Sequence, residues 1–143
     1  RDIRLEALLR DPQAFGSTYA ESIGRTEDGW RAWESRPGVT LLLARAGHDV
    51  VGLVGGLRGD DITGDASIAW VVSMYVTAGY RQRGVGRLLL QAILADLEGD
   101  PTLTRAILHV TPSQIPAQRL YTSLGFVPVG EEDGEIIMAR PLR

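Results

Sequence analysis

"MYVTAGYRQRGVGRLLLQAIL", Met74 to Leu94, passes from an apolar stretch through a turn carrying Arg81, Arg83, Gly84 and Gly86 into a leucine-rich segment. Val85, Leu89, Ile93 and Leu97 recur at four-residue spacing, with Leu88 and Ala92 on the same side. That spacing predicts an amphipathic helix from Val85 to about Glu98, ended by Gly99 and Pro101. Before it, "ASIAWVVSMYV" reads as a strand, and after it "TRAILHV", Thr104 to Val110, reads as another. A strand, a helix and a strand in that order predict a parallel crossover. The glycines at 84 and 86 then lie where unpaired N–H groups and the helix dipole favour an anion, and where missing side chains let it reach the backbone. Phosphate is the natural guest. Arg81, Arg83 and Arg87 either add charge around it or are simply solvated.

The turn is neither of two familiar phosphate loops. A P-loop needs Lys and then Ser or Thr after its last glycine, whereas Gly86 is followed by Arg87 and Leu88. A dinucleotide fingerprint needs a third glycine, and Arg87, Leu88 and Leu89 stand there instead.

Elsewhere, "RDIRLEALLRDP" places Ile3, Leu5, Leu8 and Leu9 at helical spacing, so an amphipathic helix stopping before Pro12 is expected. The chain opens without Met, which suggests that residues precede Arg1. Thr18 with Glu21 forms a possible capping box, and Thr26 caps a segment that stops at Pro37 and Gly38. "VTLLLARAGHDVVGLVGGL" reads as a hairpin in which Gly55 and Gly56 mark a bulge or a close approach, and "RGDDITGD" reads as a loop. "SQIPAQRLYTSLGF" supplies a last helix with Gly125 beyond its end, and "FVPVGEEDGEIIMARPL" a final hairpin turning at "EEDG". The expectation is one α/β domain over residues 1–143, helices first and a mixed sheet after.

With 143 residues, 44% of them hydrophobic, the chain is long enough to bury a core. No apolar run approaches the roughly 18 residues that span a bilayer, so a soluble, cytoplasmic protein without a membrane partner is expected. Cysteine is absent, which removes disulfides and thiolate chemistry, and with only His48 and His109 a metal site is not expected. All 15 basic residues are arginine, a bias attributed to GC-rich, bacterial codon usage. The net charge of −3 argues against nucleic acid as a partner. Asp60, Asp61 and Asp65, and then Glu131, Glu132, Asp133 and Glu135, read as solvated turns or, more sharply, as an acidic rim for a cationic substrate.

Two motifs in order, "V-x-x-x-x-R-x-x-G-x-G" from Val76 to Gly86 and "A-x-x-L-Y-x-x-L-G-F" from Ala117 to Phe126, make the chain resemble the GCN5-related N-acetyltransferase (GNAT) superfamily. The resemblance implies a mixed, mostly antiparallel twisted sheet with a splayed central parallel strand pair, flanked by helices. The family's first strand looks absent. The implied function is an acyltransferase: an acetyl-CoA-dependent N-acetyltransferase in which a primary amine of a small molecule or peptide attacks the thioester directly. A non-catalytic acyl-CoA-binding or regulatory module is the alternative, and a homodimer is compatible with the family.

By the same resemblance, a bulge near Met74 and Tyr75 frees the main chain of Met74 and Val76 for the pantetheine amides of coenzyme A. Amides of Gln82, Arg83, Gly84, Val85, Gly86 and Arg87 would wrap the pyrophosphate, with Arg81 beside them. Ala117 opens the helix motif that closes the cleft. Tyr121 matches the general acid that protonates the departing thiolate, the alternative being a packed residue beside Leu120 and Leu124. His109, in "LHV", matches a base acting through water, or is a hydrogen-bonded strand histidine. Gln114 stands where the family commonly has asparagine, and Ala78 where it often has proline. For the acceptor, Phe15, Tyr19 and Glu21 are the candidates, with Trp30 and Trp33 as further aromatics.

Overall fold

The computed structural model describes residues 3–7 (as backbone), 38–47, 49–81 and 84–143. Their strands are β1 (Ile3–Ala7), β2 (Val39–Ala46), β3 (Asp49–Leu57), β4 (Ile68–Val76), β5 (Arg105–Val110), β6 (Val127–Glu132) and β7 (Glu135–Pro141). Three α-helices accompany them: α1 (Asp60–Thr63), α2 (Val85–Glu98) and α3 (Ile115–Ser123). The strands form one sheet in the order β1-β2-β3-β4-β5-β7-β6. Only β4 and β5 run parallel; every other neighbouring pair is antiparallel. This is the mostly antiparallel sheet with a central parallel pair expected from the sequence.

The parallel ladder is short. Ile68, Ala69 and Trp70 pair with Arg105, Ala106 and Ile107, and there the pairing ends although β4 continues to Val76 and β5 to Val110. The cause lies on the outer sides of both strands. β5 stays paired with β7 from Arg105 to Val110. β4 follows β3, and between Leu53↔Tyr75 and Gly55↔Val72 an extra residue bulges out of β4, with Ser73 at φ 57°. A bulge bends its strand and sharpens its twist. The two central strands therefore separate towards their C-terminal ends.

Beneath the sheet, α2 buries Val85, Leu89, Ile93 and Leu97, the stripe its spacing predicted, together with Leu90 and Leu94, which the spacing did not single out, while Leu88 is 42% exposed rather than inside. The helix sits close to β3 because glycines face it. A Cβ at Gly56 would lie 2.9 Å from Ile93 Cδ1, and one at Gly52 would lie 2.9 Å from both Leu89 Cδ1 and the Tyr75 carbonyl oxygen. Gly56 is thus the close approach expected of that glycine pair. On the far side of the sheet, Leu41, Leu43, Leu53 and Leu57 form a second cluster.

Arg140 on β7 ties the layers together. Its Nε donates to the Leu124 carbonyl at 2.8 Å just beyond α3, and its Nη1 meets Glu98 Oε2 at 3.1 Å near the end of α2. Gly125, at φ 97°, turns the chain out of α3 as expected.

Two expectations are corrected. Residues Ile3–Ala7 form a strand antiparallel to β2, from Ile3↔Ala46 to Ala7↔Leu42, where a helix and a missing first strand were expected. "RGDDITGD" is more than a loop: Asp60 and Asp61, acids suited to a helix N-terminus, open the single turn α1, which Gly64 closes at φ 80°. The helices expected around Thr18 to Glu21 and Thr26 to Pro37 lie outside the described residues.

Gly52→Val forces a side chain between α2 and the Tyr75 carbonyl. We expect it to lower stability by about 1–3 kcal/mol, measured as a lower urea midpoint.

Candidate functional site

The gap between β4 and β5 begins at the start of α2 and continues through three adjoining cavities. The first, about 480 Å³, is lined by Val76, Tyr80, Arg81, Gly84, Gly86, Arg87, Pro116, Ala117 and Leu120. The second, about 250 Å³, shares Ala117 with the first and adds Ser73, Met74, His109, Gln114 and Tyr121. The third, about 440 Å³, shares Ser73 and His109 with the second and adds Trp70 and Glu132.

The first cavity has the chemistry of an anion site. Gly84 precedes α2 at φ 81°, a backbone that other residues rarely adopt, and a Cβ there would meet no atom within 4 Å. Its glycine is required by the turn, and its bare face is open. At Gly86 a Cβ would meet Leu120 Cδ2 at 3.4 Å and Val76 Cγ2 at 3.9 Å, both ordinary contacts. Among the described residues no side chain caps the first turn of α2, so its N–H groups face an anion site that the helix dipole favours. Arg87 is held on the rim by a 2.8 Å hydrogen bond from Nη2 to Ser123 Oγ, and that hydroxyl in turn donates to the Leu120 carbonyl. Arg81 Nε donates to the Val76 carbonyl at 3.1 Å, which fixes the guanidinium against the strand end. Val76, Tyr80, Pro116, Ala117 and Leu120 make the remainder of the wall apolar, a surface suited to a thin, partly aliphatic chain.

Tyr121 and His109 meet in the second cavity. Tyr121 lies on the inner face of α3, 7% exposed, with its ring edge-on to Phe126 at a centroid separation of 6.1 Å. Burial pushes its phenol above the ordinary tyrosine pKa, so it stays a protonated donor throughout the neutral range. His109 comes from β5, whose alternation buries Ala106, Leu108 and Val110 towards α2 and turns His109 to the opposite face. Its Nδ1 lies 3.8 Å from Glu135 Oε1. Gln114 stands at the entry to α3, where its Oε1 accepts from the Thr111 N–H at 3.4 Å. A proton donor and a proton acceptor thus border one small space, reached from the anion site along an apolar wall.

Of the expected site residues, Met74, Val76, Arg81, Gly84, Gly86, Arg87, Gln114, Ala117, Tyr121 and His109 line the first two cavities. Tyr75 does not line them, and the Val85 side chain is turned into the core, leaving its main chain at the helix start. Gln82, Arg83, Phe15, Tyr19, Glu21, Trp30 and Trp33 lie outside the described residues. The bulge expected near Met74 and Tyr75 centres on Ser73 and Met74. Ser73 escaped notice because a serine at positive φ leaves no mark in sequence. Gln118 was missed too; its Nε2 donates to the carbonyls of Thr111 and Pro112 and braces the loop into α3. Trp70 was legible in principle, since alternation with the buried Ala69 and Val71 sends it to the His109 face.

A raised tyrosine pKa has a thermodynamic consequence. The unfolded chain releases the phenolic proton near pH 10, before the folded one does, so this contribution is whole below about pH 10 and is lost as pH rises through the higher folded value. Denaturation midpoints measured from pH 8 upwards should fall above about pH 10, and less steeply in Tyr121→Phe.

Comparison with known proteins agrees with this geometry. Residues 5–126 match the family described as "Acetyltransferase (GNAT) family". Human N-acetyltransferase 8 is 28% identical over 101 residues, which are 71% of this chain and 44% of that protein; the chain therefore spans less than half of that relative. Among solved structures, a GNAT-family acetyltransferase from Streptococcus pneumoniae superposes with a TM-score of 0.84 at 18% identity, covering 98% of this chain and 99% of that one. Arabidopsis thaliana NAA60 in complex with acetyl-CoA gives 0.76 at 16% identity, covering 98% of each. The ribosomal-protein-S18-alanine N-acetyltransferase of Escherichia coli gives 0.76 at 20% identity, covering 99% of this chain and 94% of that one. These structural likenesses are likenesses of fold.

Proposed function

We propose that this chain, which belongs to the acetyltransferase (GNAT) family, is an N-acetyltransferase that moves an acetyl group from acetyl-CoA to a primary amine of a small molecule or peptide. The observation that carries the reading is the three-pair ladder between β4 and β5, beyond which the strands part around a cleft that Tyr121 and His109 both border.

The residues present fit acetyl-CoA. A diphosphate suits the open face of Gly84, the amides opening α2 and the guanidinium groups of Arg81 and Arg87. An extended pantetheine chain suits the apolar wall of Val76, Ala117 and Leu120, with main-chain groups of Met74 to Val76 beside it. Acetyl-CoA supplies the acyl group as a thioester, whose C–S bond breaks as the amine nitrogen bonds to the carbonyl carbon. His109 takes the proton that the amine loses, directly or through one water, and passes it to solvent. Tyr121, kept protonated by burial, gives its proton to the departing sulfur and regains one from solvent. The products are an amide and the free thiol.

Release of free thiol in the presence of a panel of amines tests the reading; tight acetyl-CoA binding with no transfer to any amine from pH 6 to 9 would replace it with a binding module. Tyr121→Phe keeps the packed ring and removes the acid. We expect turnover to fall about 100-fold with acetyl-CoA affinity retained, and unchanged turnover would take Tyr121 out of the mechanism.

Gly84→Glu sets a carboxylate against the diphosphate seat in a backbone that already resists a side chain. Acetyl-CoA affinity measured by calorimetry should fall about 100-fold or more, and less in Gly84→Ala, which adds strain without charge. Affinity unchanged in Gly84→Glu would contradict the cofactor assignment.

A further inference from the structure

The third cavity lies on the sheet face away from α2 and adjoins the space bordered by Tyr121, with Ser73 and His109 common to both. Among the described residues, its remaining polar character comes from Trp70 and Glu132. We infer that it seats the acceptor and selects amines that carry a second positive charge, held by Glu132 and Trp70. The inference rests on the N-acetyltransferase reading and names the substrate class of that site.

Strand register brings the charges together. On β7, Ile137 stands opposite His109 of β5, and Glu135, two residues away, therefore shares its face; the 3.8 Å approach of Glu135 Oε1 to His109 Nδ1 agrees. Glu135 is itself directly opposite Glu132 on β6. Like charges paired across antiparallel strands destabilise a hairpin. No Arg or Lys occurs between Val127 and Met138 to offset them. On these two strands the carboxylate pair has no local Arg or Lys to offset it, and a cation bound at the edge of the cavity relieves it.

The indole adds a second element. Trp70 is 36% exposed and lines the same cavity, and the face of an indole attracts an ammonium within about 6 Å of its centre. The nitrogen that attacks the thioester must be neutral, so it is not the group that neutralises Glu132 during transfer. A second ammonium on the same short molecule meets both requirements: it rests between Glu132 and Trp70 while the neutral amine reaches past Ser73 and His109 towards Tyr121. A cavity of about 440 Å³ is ample for a chain of a few methylenes.

The test compares 1,4-diaminobutane with 1-aminopentane, equal in reach and unequal in charge, by thiol release with the intact chain. We expect kcat/KM to favour the diamine by about tenfold or more, and the ratio to fall towards one in both Glu132→Gln and Trp70→Leu. Glu132→Gln should melt no lower than the parent protein, because it removes the Glu132–Glu135 repulsion, so a lost preference cannot be put down to a folding defect. A ratio near one in the parent, or a ratio unchanged in Glu132→Gln, overturns the inference and leaves the acetyltransferase reading standing. Transfer to neither of these nor to any other amine in the panel removes both.

Discussion

The molecule depends on a parallel ladder that stops after three residue pairs. β4 and β5 are each held on their outer side, β4 by β3 across the bulge at Ser73 and β5 by β7 along its whole length. Past Trp70 and Ile107, β4 bends with β3 at the bulge while β5 stays with β7, and the two central strands no longer pair with each other. Ladder hydrogen bonds given up there leave backbone groups that need another partner, since buried N–H and C=O groups are rarely left alone. An extended molecule with amides of its own can provide one. A cleft with a polar floor thus follows from strand pairing, before any catalytic side chain is considered.

The layers beneath hold that separation in place. α2 is seated against β3 by the absence of side chains at Gly52 and Gly56, which fixes the height at which its first turn meets the end of β4. α3 is secured at its far end by Arg140, at its entry by Gln118, and on its side by the Arg87–Ser123 contact with α2. Tyr121 is therefore presented by a short helix braced from three directions, and its burial both orients the phenol and keeps it protonated.

Much of this is legible in the sequence. α2 declared itself through a strict apolar stripe, both hairpins through apolar runs flanking turn residues, and α3 through Pro116 and Gly125. β1 was misread because Ile3, Leu5, Leu8 and Leu9 satisfy a helical spacing, while Ile3, Leu5 and Ala7 equally satisfy a strand's alternation. Pairing with β2, a contact some 40 residues away, decided between them. The site divided in the same way. Glycines and arginines around residue 84, and Tyr121 in its helix motif, carry local signals. The convergence of His109, Glu132 and Glu135 does not, because it arises from the register of three strands that meet only in the folded sheet.

β6 forms one margin of the sheet, and all six of its residues are exposed, Val127 and Val129 by 55% each. A bare margin with two valines is a template on which a further chain can lay its own strand. Pro128 withholds one N–H from such an addition, and Glu131 and Glu132 repel an identical newcomer. The hairpin's acidity is consequently a safeguard against polymerisation: acid conditions, or neutralising replacements at both glutamates, would leave Pro128 as the main obstacle to fibre-like stacking along this border.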